Sequence, residues 1–446
     1  MALVSQSIPN LINGVSQQPP SLRLNSQAEV QENGLSSAVE GLSKRPCTEY
    51  IADLGAVTNL DKAFIHTIRR DETEFYSLVI DTAGLIKVFD KDGVSKTVTN
   101  NASSYLTGLT NPKKELAAVS IADNTFIVNK NTTVAKDTTT SATRNPEALV
   151  YVKNADYSST YRLKVTKGGT TKTVEFATKS STQDNTTNTQ NAERGASTDL
   201  IAENLNTFSG TSVSTTYYEN ITNATAISGL TFTRYDNVIH IQSTNSTDFQ
   251  VEVGDSHGNE HLLVFKDETA DFKKLPVQAP NDYIIKISGD NNKAQDDYYV
   301  KFTDGVWKET LASDVLTSLN NSTLPHRLEK QSDGTFVFEE IDYKDRLVGD
   351  DETNPFPSFV DFTINDIFFF KNRLGLLADE NVVFSRAGEF INFDFFRKTT
   401  LTIVDSDIID VAVSSNKVSI LKHAVPFNET AYKIAAQHHL SAGSKK

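Results

Sequence analysis

The chain of 446 residues has one cysteine, one methionine and one tryptophan. A single cysteine, Cys47, cannot form a disulfide within the chain, so the fold must depend on packing and hydrogen bonds. Cys47 follows Lys44 and Arg45, whose charges favour a thiolate. No histidine or aspartate base stands beside it in the sequence, so we interpret it as an ordinary cysteine in a turn.

Positive charge and long apolar runs are also scarce. The formal net charge of −14 argues against a protein that grips nucleic acid through its phosphates, although it does not exclude a protein that DNA merely passes. No run approaches the length of a membrane span, and the N-terminus lacks the charged and apolar regions of a signal peptide. We therefore expect a soluble protein made in the cytoplasm, and a secreted β-propeller binding module is disfavoured.

Helical patterns are few, and the dominant local signal is that of β-strands. Short runs of β-branched and aromatic residues recur between turns of Asp, Asn and Gly, for example at 75–80, 125–128, 238–241, 298–302 and 335–338. Four segments place a turn pair before a strand, at 123–128, 236–241, 333–338 and 380–385. They indicate either a propeller-like repeat of one hairpin, or only that any hairpin in a β protein has this pattern. Helices are predicted only at 198–208 and 309–319.

Changes in composition predict five regions. An extended N-terminal arm covers 1–50, because Gly and Pro punctuate a polar stretch that needs another surface to become ordered. The β body occupies 51–145 and 276–427, and an inserted β-rich domain, dense in Thr, Ser and Asn, occupies 146–275. Residues 428–446 carry no strand pattern and are predicted to be a tail. The fold class is therefore mainly β, a β-propeller-like body with an inserted domain and few helices.

One segment has the spacing of a metal site. His257, Glu260 and His261 match the H-x-x-E-H pattern of inverted zinc peptidases, in which both histidines share a helical face. Here Gly258 and Asn259 favour a turn between two strands, and no third ligand is evident. We therefore interpret the segment as a hairpin turn.

Other polar and aromatic groupings are also better explained by structure than by chemistry. Asp405, Asp407 and Asp410 fail the calcium-loop pattern, because Ile409 stands where an oxygen ligand and Asp410 where a glycine would be needed. Chance carboxylate pairs such as Asp350–Asp351 are expected among 57 acidic residues. The phenylalanines of 390–396 favour core or interface packing, since no basic groove accompanies them. We assign no catalytic, cofactor-binding or metal-binding residue and expect no cofactor.

Two sets of motifs resemble a known family. The first is in the N-terminal arm, at 5–20, 31–35 and 40–46. The second runs through 325–328, 333–336, 346–351, 354–359, 372–375, 385–386, 408–413, 419–421 and 424–427. In order and spacing they resemble the tail tubular protein B, or nozzle, family of short-tailed bacteriophages, and residues 145–275 do so only in general character.

The resemblance implies a structural virion protein without enzymatic activity. Members form a six-fold ring at the distal end of the tail, below an adaptor ring of tail tubular protein A type. Tail fibres dock at the side, and genomic DNA leaves through the channel without specific binding. The resemblance also implies the propeller-like body, and its pattern includes no catalytic residues.

Two further expectations accompany the resemblance. Family members are usually longer, which would make this chain a truncated, frame-shifted or split-gene product that folds or assembles poorly alone, because a missing blade exposes a sheet edge. The alternative function is a tail-associated hydrolase of cell-surface polysaccharide or peptidoglycan, which would depend on His257, Glu260 or paired carboxylates.

Overall fold

The computed structural model describes residues 10–182, 185–289, 297–389, 391–413, 419–427 and 430–437. The chain divides into two compact units. The smaller consists of Met1–Ala56 with Asp92–Val94, and the larger of Val57–Lys91 with Ser95–Lys446.

The smaller unit is built from turns and one hairpin. Strands β1 (Gly34–Ser37) and β2 (Gly41–Lys44) pair antiparallel. Gly41 has a φ of 78°, and a Cβ atom there would lie 1.8 Å from the Asn10 side chain, so only glycine fits. The segment predicted as an extended arm therefore contains a hairpin that hydrogen bonds hold in place. No apolar side chain of residues 10–56 is buried, so this unit has no hydrophobic core of its own.

The larger unit is mainly β. Its first strands are β3 (Phe64–Arg69), β4 (Phe75–Ile80), β5 (Ile86–Asp90), β6 (Ser95–Lys96), β7 (Val98–Asn100), β8 (Leu116–Ile121) and β9 (Asn124–Asn129). The middle strands are β10 (Glu147–Val152), β11 (Thr160–Lys167), β12 (Thr170–Thr178), β13 (Tyr218–Thr222), β14 (Leu230–Tyr235), β15 (Val238–Ser243), β16 (Gln250–Asp255), β17 (Leu262–Lys266), β18 (Glu268–Thr269), β19 (Ile284–Ile287), β20 (Tyr298–Thr303) and β21 (Val306–Thr310).

The last strands are β22 (His326–Lys330), β23 (Phe336–Glu339), β24 (Ile364–Phe370), β25 (Arg373–Ala378), β26 (Asn381–Phe384), β27 (Ile409–Ala412), β28 (Ser419–Phe427) and β29 (Thr430–Gln437). The described α-helices are α1 (Pro112–Glu115), α2 (Thr186–Gly195) and α3 (Thr198–Leu205). Short 3-10 turns lie at Leu60–Lys62, Ser103–Leu106, Asn206–Ser209, Phe272–Lys274 and Asn321–Thr323. The predicted class, mainly β with few helices, is confirmed.

Three sheets form the part of the larger unit that we call the body. Their strand orders are β3-β4-β5-β6, β7-β23-β22-β9-β8 and β24-β25-β26-β27. The turn between β24 and β25 has two consecutive residues at positive φ, Lys371 at 48° and Asn372 at 63°, which is the geometry of a tight two-residue hairpin. Such meanders are typical of propeller blades, and the propeller-like arrangement stays a prediction.

The middle of the chain forms two other sheets. An eight-stranded sheet has the order β14-β15-β10-β17-β18-β19-β20-β21, and a four-stranded sheet has the order β13-β12-β11-β16. Ile201 and Leu205 of α3, with Phe208 beyond it, pack in one buried cluster with side chains of both sheets. The strands on either side of residue 275 belong to the same eight-stranded sheet, which continues to Thr310.

The two helix predictions had different outcomes. The one at 198–208 is confirmed as α3 followed by the 3-10 turn Asn206–Ser209. The one at 309–319 is wrong, because the backbone there pairs with other segments. Ala312 N donates to Gly349 O at 3.0 Å, and Val315 O accepts from Ser141 N at 2.8 Å. Asp314 also has a φ of 58°, which interrupts any right-handed helix.

Two elements were missed. The region dense in Thr, Ser and Asn, for which no helix before residue 198 is predicted, contains helix α2, whose N-cap is Asn185, with its side-chain oxygen accepting from Asn188 N at 2.9 Å. An asparagine before a helical run was the available signal. The region predicted as a tail from residue 428 contains strand β29, which pairs antiparallel with β28. That prediction is wrong for Thr430–Gln437, and residues 438–446 lie outside the described residues.

Candidate functional site

The motif residues of the C-terminal half converge on buried polar contacts. The Arg346 side chain is completely buried. It donates from Nη1 to Asp351 Oδ1 at 2.8 Å and to the carbonyl of Asn354 at 3.1 Å, and from Nη2 to the carbonyl of Leu316. Its guanidinium also lies 4.8 Å from the ring centroid of Phe356. Through these contacts the Arg346 guanidinium holds three loop segments together.

Asn354 completes the same arrangement. Its buried Nδ2 donates to the carbonyls of Val348 and Arg397, both at 3.0 Å, and its Oδ1 accepts from Arg397 N at 3.1 Å. Because both the oxygen and the nitrogen of this amide are hydrogen-bonded to backbone groups, Asn354 holds two loops at fixed positions relative to each other.

The paired carboxylates Asp350 and Asp351 are both engaged in structure. Asp350 accepts hydrogen bonds from the Tyr299 hydroxyl, the backbone of Glu352 and both donors of Thr353, each at 3.0 Å. Burial raises the pKa of Asp350, but these hydrogen bonds outweigh it and hold the pKa below its ordinary value. Asp351 pairs with Arg346. Both carboxylates thus take part in structural contacts.

Arg373, from the Asn372–Gly375 motif, organises the aspartate-rich loop. Its Nη1 donates to the carbonyl of Ser385 at 2.9 Å and also to the carbonyl of Asp407, and its Nη2 donates to the carbonyl of Asp405. The Asp410 carboxylate accepts from Ser358 N at 2.7 Å. The backbone carbonyls of Asp405 and Asp407 are thus bonded to Arg373, and one carboxylate oxygen of Asp410 is bonded to a backbone N–H.

Arg386 lies among carboxylates in the same region. Its Nη1 is 3.5 Å from Asp394 Oδ2, and its Nε is 3.8 Å from Asp407 Oδ1. Burial raises the pKa of Asp394 despite these nearby charges. Asp394 Oδ1 also accepts from Phe396 N at 2.9 Å, so this carboxylate shapes the loop that carries the phenylalanines.

The phenylalanine cluster belongs to the hydrophobic core, in agreement with the prediction that these rings serve packing. Phe393, Phe395 and Phe396 are buried, and their rings contact Phe126, Phe359 and Phe356 edge to face at 5.1–5.3 Å. No ring of these three faces solvent as a base-stacking platform would. Phe390 lies outside the described residues.

The H-x-x-E-H segment forms a turn, as predicted. The Asp255 carboxylate accepts four backbone hydrogen bonds within it, from His257, Asn259, His261 and Leu262. The two histidine rings stack with centroids 4.0 Å apart, and Glu260 is exposed. Throughout the described ranges, no group of three His, Cys, Asp or Glu side chains could hold a metal ion.

His257 has a serine and an aspartate near its side chain. His257 Nε2 lies 2.9 Å from Ser159 Oγ and 3.6 Å from Asp156 Oδ2. A catalytic triad needs the serine on one ring nitrogen and the carboxylate on the other. Here both approach Nε2, and Ser159 is itself buried, so the group does not form a nucleophile, base and orienting acid.

A polar cavity of about 420 Å³ is lined by residues at the start of β10 and by residues of β19. Its charged lining residues are paired, since Arg144 Nε is 2.7 Å from Glu147 Oε1 and Lys286 Nζ is 2.7 Å from Asp297 Oδ2. Burial raises the pKa of Glu147, but hydrogen bonds from His240 and Arg144 outweigh burial and hold the pKa below its ordinary value. The cavity therefore offers no unsatisfied acid or base.

Two remaining features of the chain concern its surface. Cys47 is exposed and free. None of the helices that the structure describes is both long and apolar enough to cross a membrane.

The fold and these contacts define a scaffold class of protein, in which several β-sheets are joined by loops and the motif residues tie the loops down. Comparison with known proteins agrees with this class. The family model of the bacteriophage nozzle protein matches residues 1–437, and the chain belongs to that family.

A curated relative is the tail tubular protein gp12 of Escherichia phage T7. It is 36% identical over 438 residues, which cover 96% of this chain and 52% of that protein. The chain thus spans about half the length of the curated relative it matches. The resemblance seen in the motifs is confirmed, and it extends through residues 145–275.

Proposed function

We propose that this chain is a structural subunit of the nozzle at the distal end of a short-tailed phage tail. Membership of the nozzle family across residues 1–437 is the observation that carries the proposal. The role of the motif residues supports it, because Arg346, Asn354 and Arg373 are used for holding loops and not for chemistry.

The subunits would form a six-fold ring beneath an adaptor ring of tail tubular protein A type, with tail fibres at the side. Genomic DNA would pass through the channel without specific binding. The net charge of −14 supports this part, since an acidic wall repels phosphate and does not retain the strand.

We also propose a division of the larger unit for this function. The body would consist of 57–145 and 311–427, and the inserted domain would extend from 146 to about 310, because the eight-stranded sheet begins at Glu147 and ends at Thr310. The two segments that connect the body to the inserted domain pair with each other. Isolated bridges join Lys136 to Leu319 and Thr140 to Leu316. One paired connection would let the domain sit on the ring as a separate lobe.

Immunogold electron microscopy of virions tests the location. Antibodies against the inserted domain are expected to label the distal tail, and a label at the capsid or no label on virions would contradict the proposal.

The hydrolase alternative has its own test. His257→Ala and Glu260→Ala should leave any cell-wall or polysaccharide degradation by purified virions unchanged, because neither residue belongs to a catalytic arrangement. Loss of degradation with assembly intact would favour the hydrolase instead.

A further inference from the structure

Strand β27 exposes both of its faces. All four residues, Ile409–Ala412, are exposed, although a strand in a sheet usually turns one face to a core. Ile409 and Val411 are 42% and 49% exposed, and the loop before them adds exposed Leu401, Ile403 and Val404. Asp405 and Asp410 are also exposed, and residues 401–413 contain no lysine or arginine. We call residues 401–412 the β27 surface, an apolar patch with an acidic rim.

The backbone of β27 offers hydrogen bonds outward. β27 is the last strand of its sheet, paired on one side with β26. Val413 N donates to Glu380 O at 3.0 Å, beside that pairing. Since N–H groups alternate along an antiparallel strand, those of Asp410 and Ala412 point away from β26. Among the described residues, no strand pairs with this outer edge.

The smaller unit has a complementary surface. Hairpin β1–β2 is a sheet of two strands, and such a hairpin is at best marginally stable alone. Leu42 N of β2 donates to the Asn10 side chain at 3.2 Å, whereas no described strand pairs with the outer edge of β1. Leu35 on β1 is 54% exposed. Lys44 is the last residue of β2 and Arg45 follows it, and both bring positive charge to the hairpin.

We propose that β1 of one copy adds to the free edge of β27 in a second copy of this chain. Edge pairing would give acceptors to the outward N–H groups of Asp410 and Ala412, and Leu35 would cover Ile409 or Val411. Lys44 and Arg45 would meet the acidic rim of Asp405 and Asp410. A second copy fits because the two complementary surfaces are different patches of one chain. Such a head-to-tail contact generates a ring when its rotation closes, so this inference rests on the proposed nozzle function.

Cysteine cross-linking tests the contact. In a Cys47→Ser background, Leu35→Cys and Val411→Cys are combined in one chain and treated with a short bismaleimide. A ladder of covalent multimers is expected, and mixing the two single-cysteine proteins should give dimers only. The matched control pairs Leu35→Cys with Thr233→Cys, an exposed position on the edge strand β14, and should give no ladder.

Ala412→Pro tests the role of the edge backbone. It removes an outward N–H without touching the β26 pairing, so association should weaken about tenfold while the melting temperature stays unchanged. Rings without the 35–411 cross-link would overturn this inference and leave the nozzle proposal standing. A cross-link within one monomer would also overturn it, and monomers without any cross-link would count against both.

Discussion

Arg346 shows how single residues of the family pattern act in this fold. Its guanidinium is fully buried, yet all of its assigned partners are structural: a carboxylate, two backbone carbonyls and an aromatic ring. A buried arginine with these partners stabilises loop geometry, because each carbonyl would otherwise lose its donor.

Replacing Arg346 should therefore destabilise the protein. Arg346→Met should lower the free energy of unfolding by about 3 kcal/mol, since two carbonyls lose a donor and each unsatisfied group costs about 1–3 kcal/mol. Urea unfolding measures the change. Arg234→Met is the matched control, because Arg234 is exposed and donates to a single carbonyl, that of Asp236. Equal losses for the two variants would contradict the scaffold role.

His326, the histidine of the 325–328 motif, predicts a pH dependence. It is buried, its Nδ1 donates to Leu324 O at 2.8 Å, and its ring stacks on Tyr105 at 3.8 Å. Burial lowers the pKa of His326 to about 4. Below pH 6.5 the unfolded chain takes up a proton that the folded chain refuses, so stability falls as the pH drops from about 6.5 to about 4.

The loss over that pH range should reach about 3 kcal/mol, from a pKa difference of about 2.5 units at 1.36 kcal/mol each. Urea unfolding at pH 7 and pH 4.5 measures it in the wild type and in His326→Gln. The variant should lose less stability between the two values. The same loss in both proteins would show that His326 does not carry the effect.

At the scale of elements, the pair β24–β25 depends on a cross-strand contact. Phe368 faces Gly375, and a Cβ atom at Gly375 would lie 2.4 Å from the Phe368 ring. The ring occupies the space above the glycine backbone, so the glycine of the 372–375 motif is required for packing.

Gly375→Ala should cost about 1–3 kcal/mol of unfolding free energy, because the ring must move out of a packed core. Thermal unfolding followed by circular dichroism measures it, and adding Phe368→Leu should recover part of the loss. Gly254→Ala in β16 is the control, since its Cβ would meet only the flexible Arg162 side chain at 3.3 Å. A Gly375 variant as stable as the control would exclude the close packing.

The smaller unit should matter for assembly more than for folding of the rest. Deleting residues 1–46 should leave the far-ultraviolet circular dichroism nearly unchanged, because no apolar side chain of residues 10–56 is buried. Ring formation, seen by size-exclusion chromatography and microscopy, should fall. Unchanged rings would show that residues 1–46 are not needed for assembly.

Local signals predicted the hairpins well but not every element. The alternation at 75–80 coincides with β4, and the helix expected at 198–208 is α3, since caps and periodicity are local properties. The segment 309–319 was mispredicted because distant partners, Gly349 and Ser141, capture its backbone. The clustering of Arg346 with Leu316 was equally hidden, because no sequence rule relates residues that meet only through the fold.

At the scale of the whole molecule, the motifs and the structure lead to one account. The chain is a nozzle-family protein whose pattern residues stabilise a multi-sheet scaffold, and its formal net charge is −14. The family resemblance was recognisable from motif order, whereas the propeller-like arrangement and the ring remain proposals. The ring depends on contacts between copies, which a single sequence does not specify.

Electron microscopy of the purified protein, alone and with its adaptor, tests the central claim most directly. Six-fold rings with an open central channel, stacked on the adaptor ring when it is present, are the predicted result. Particles that remain monomeric in both samples would contradict the account.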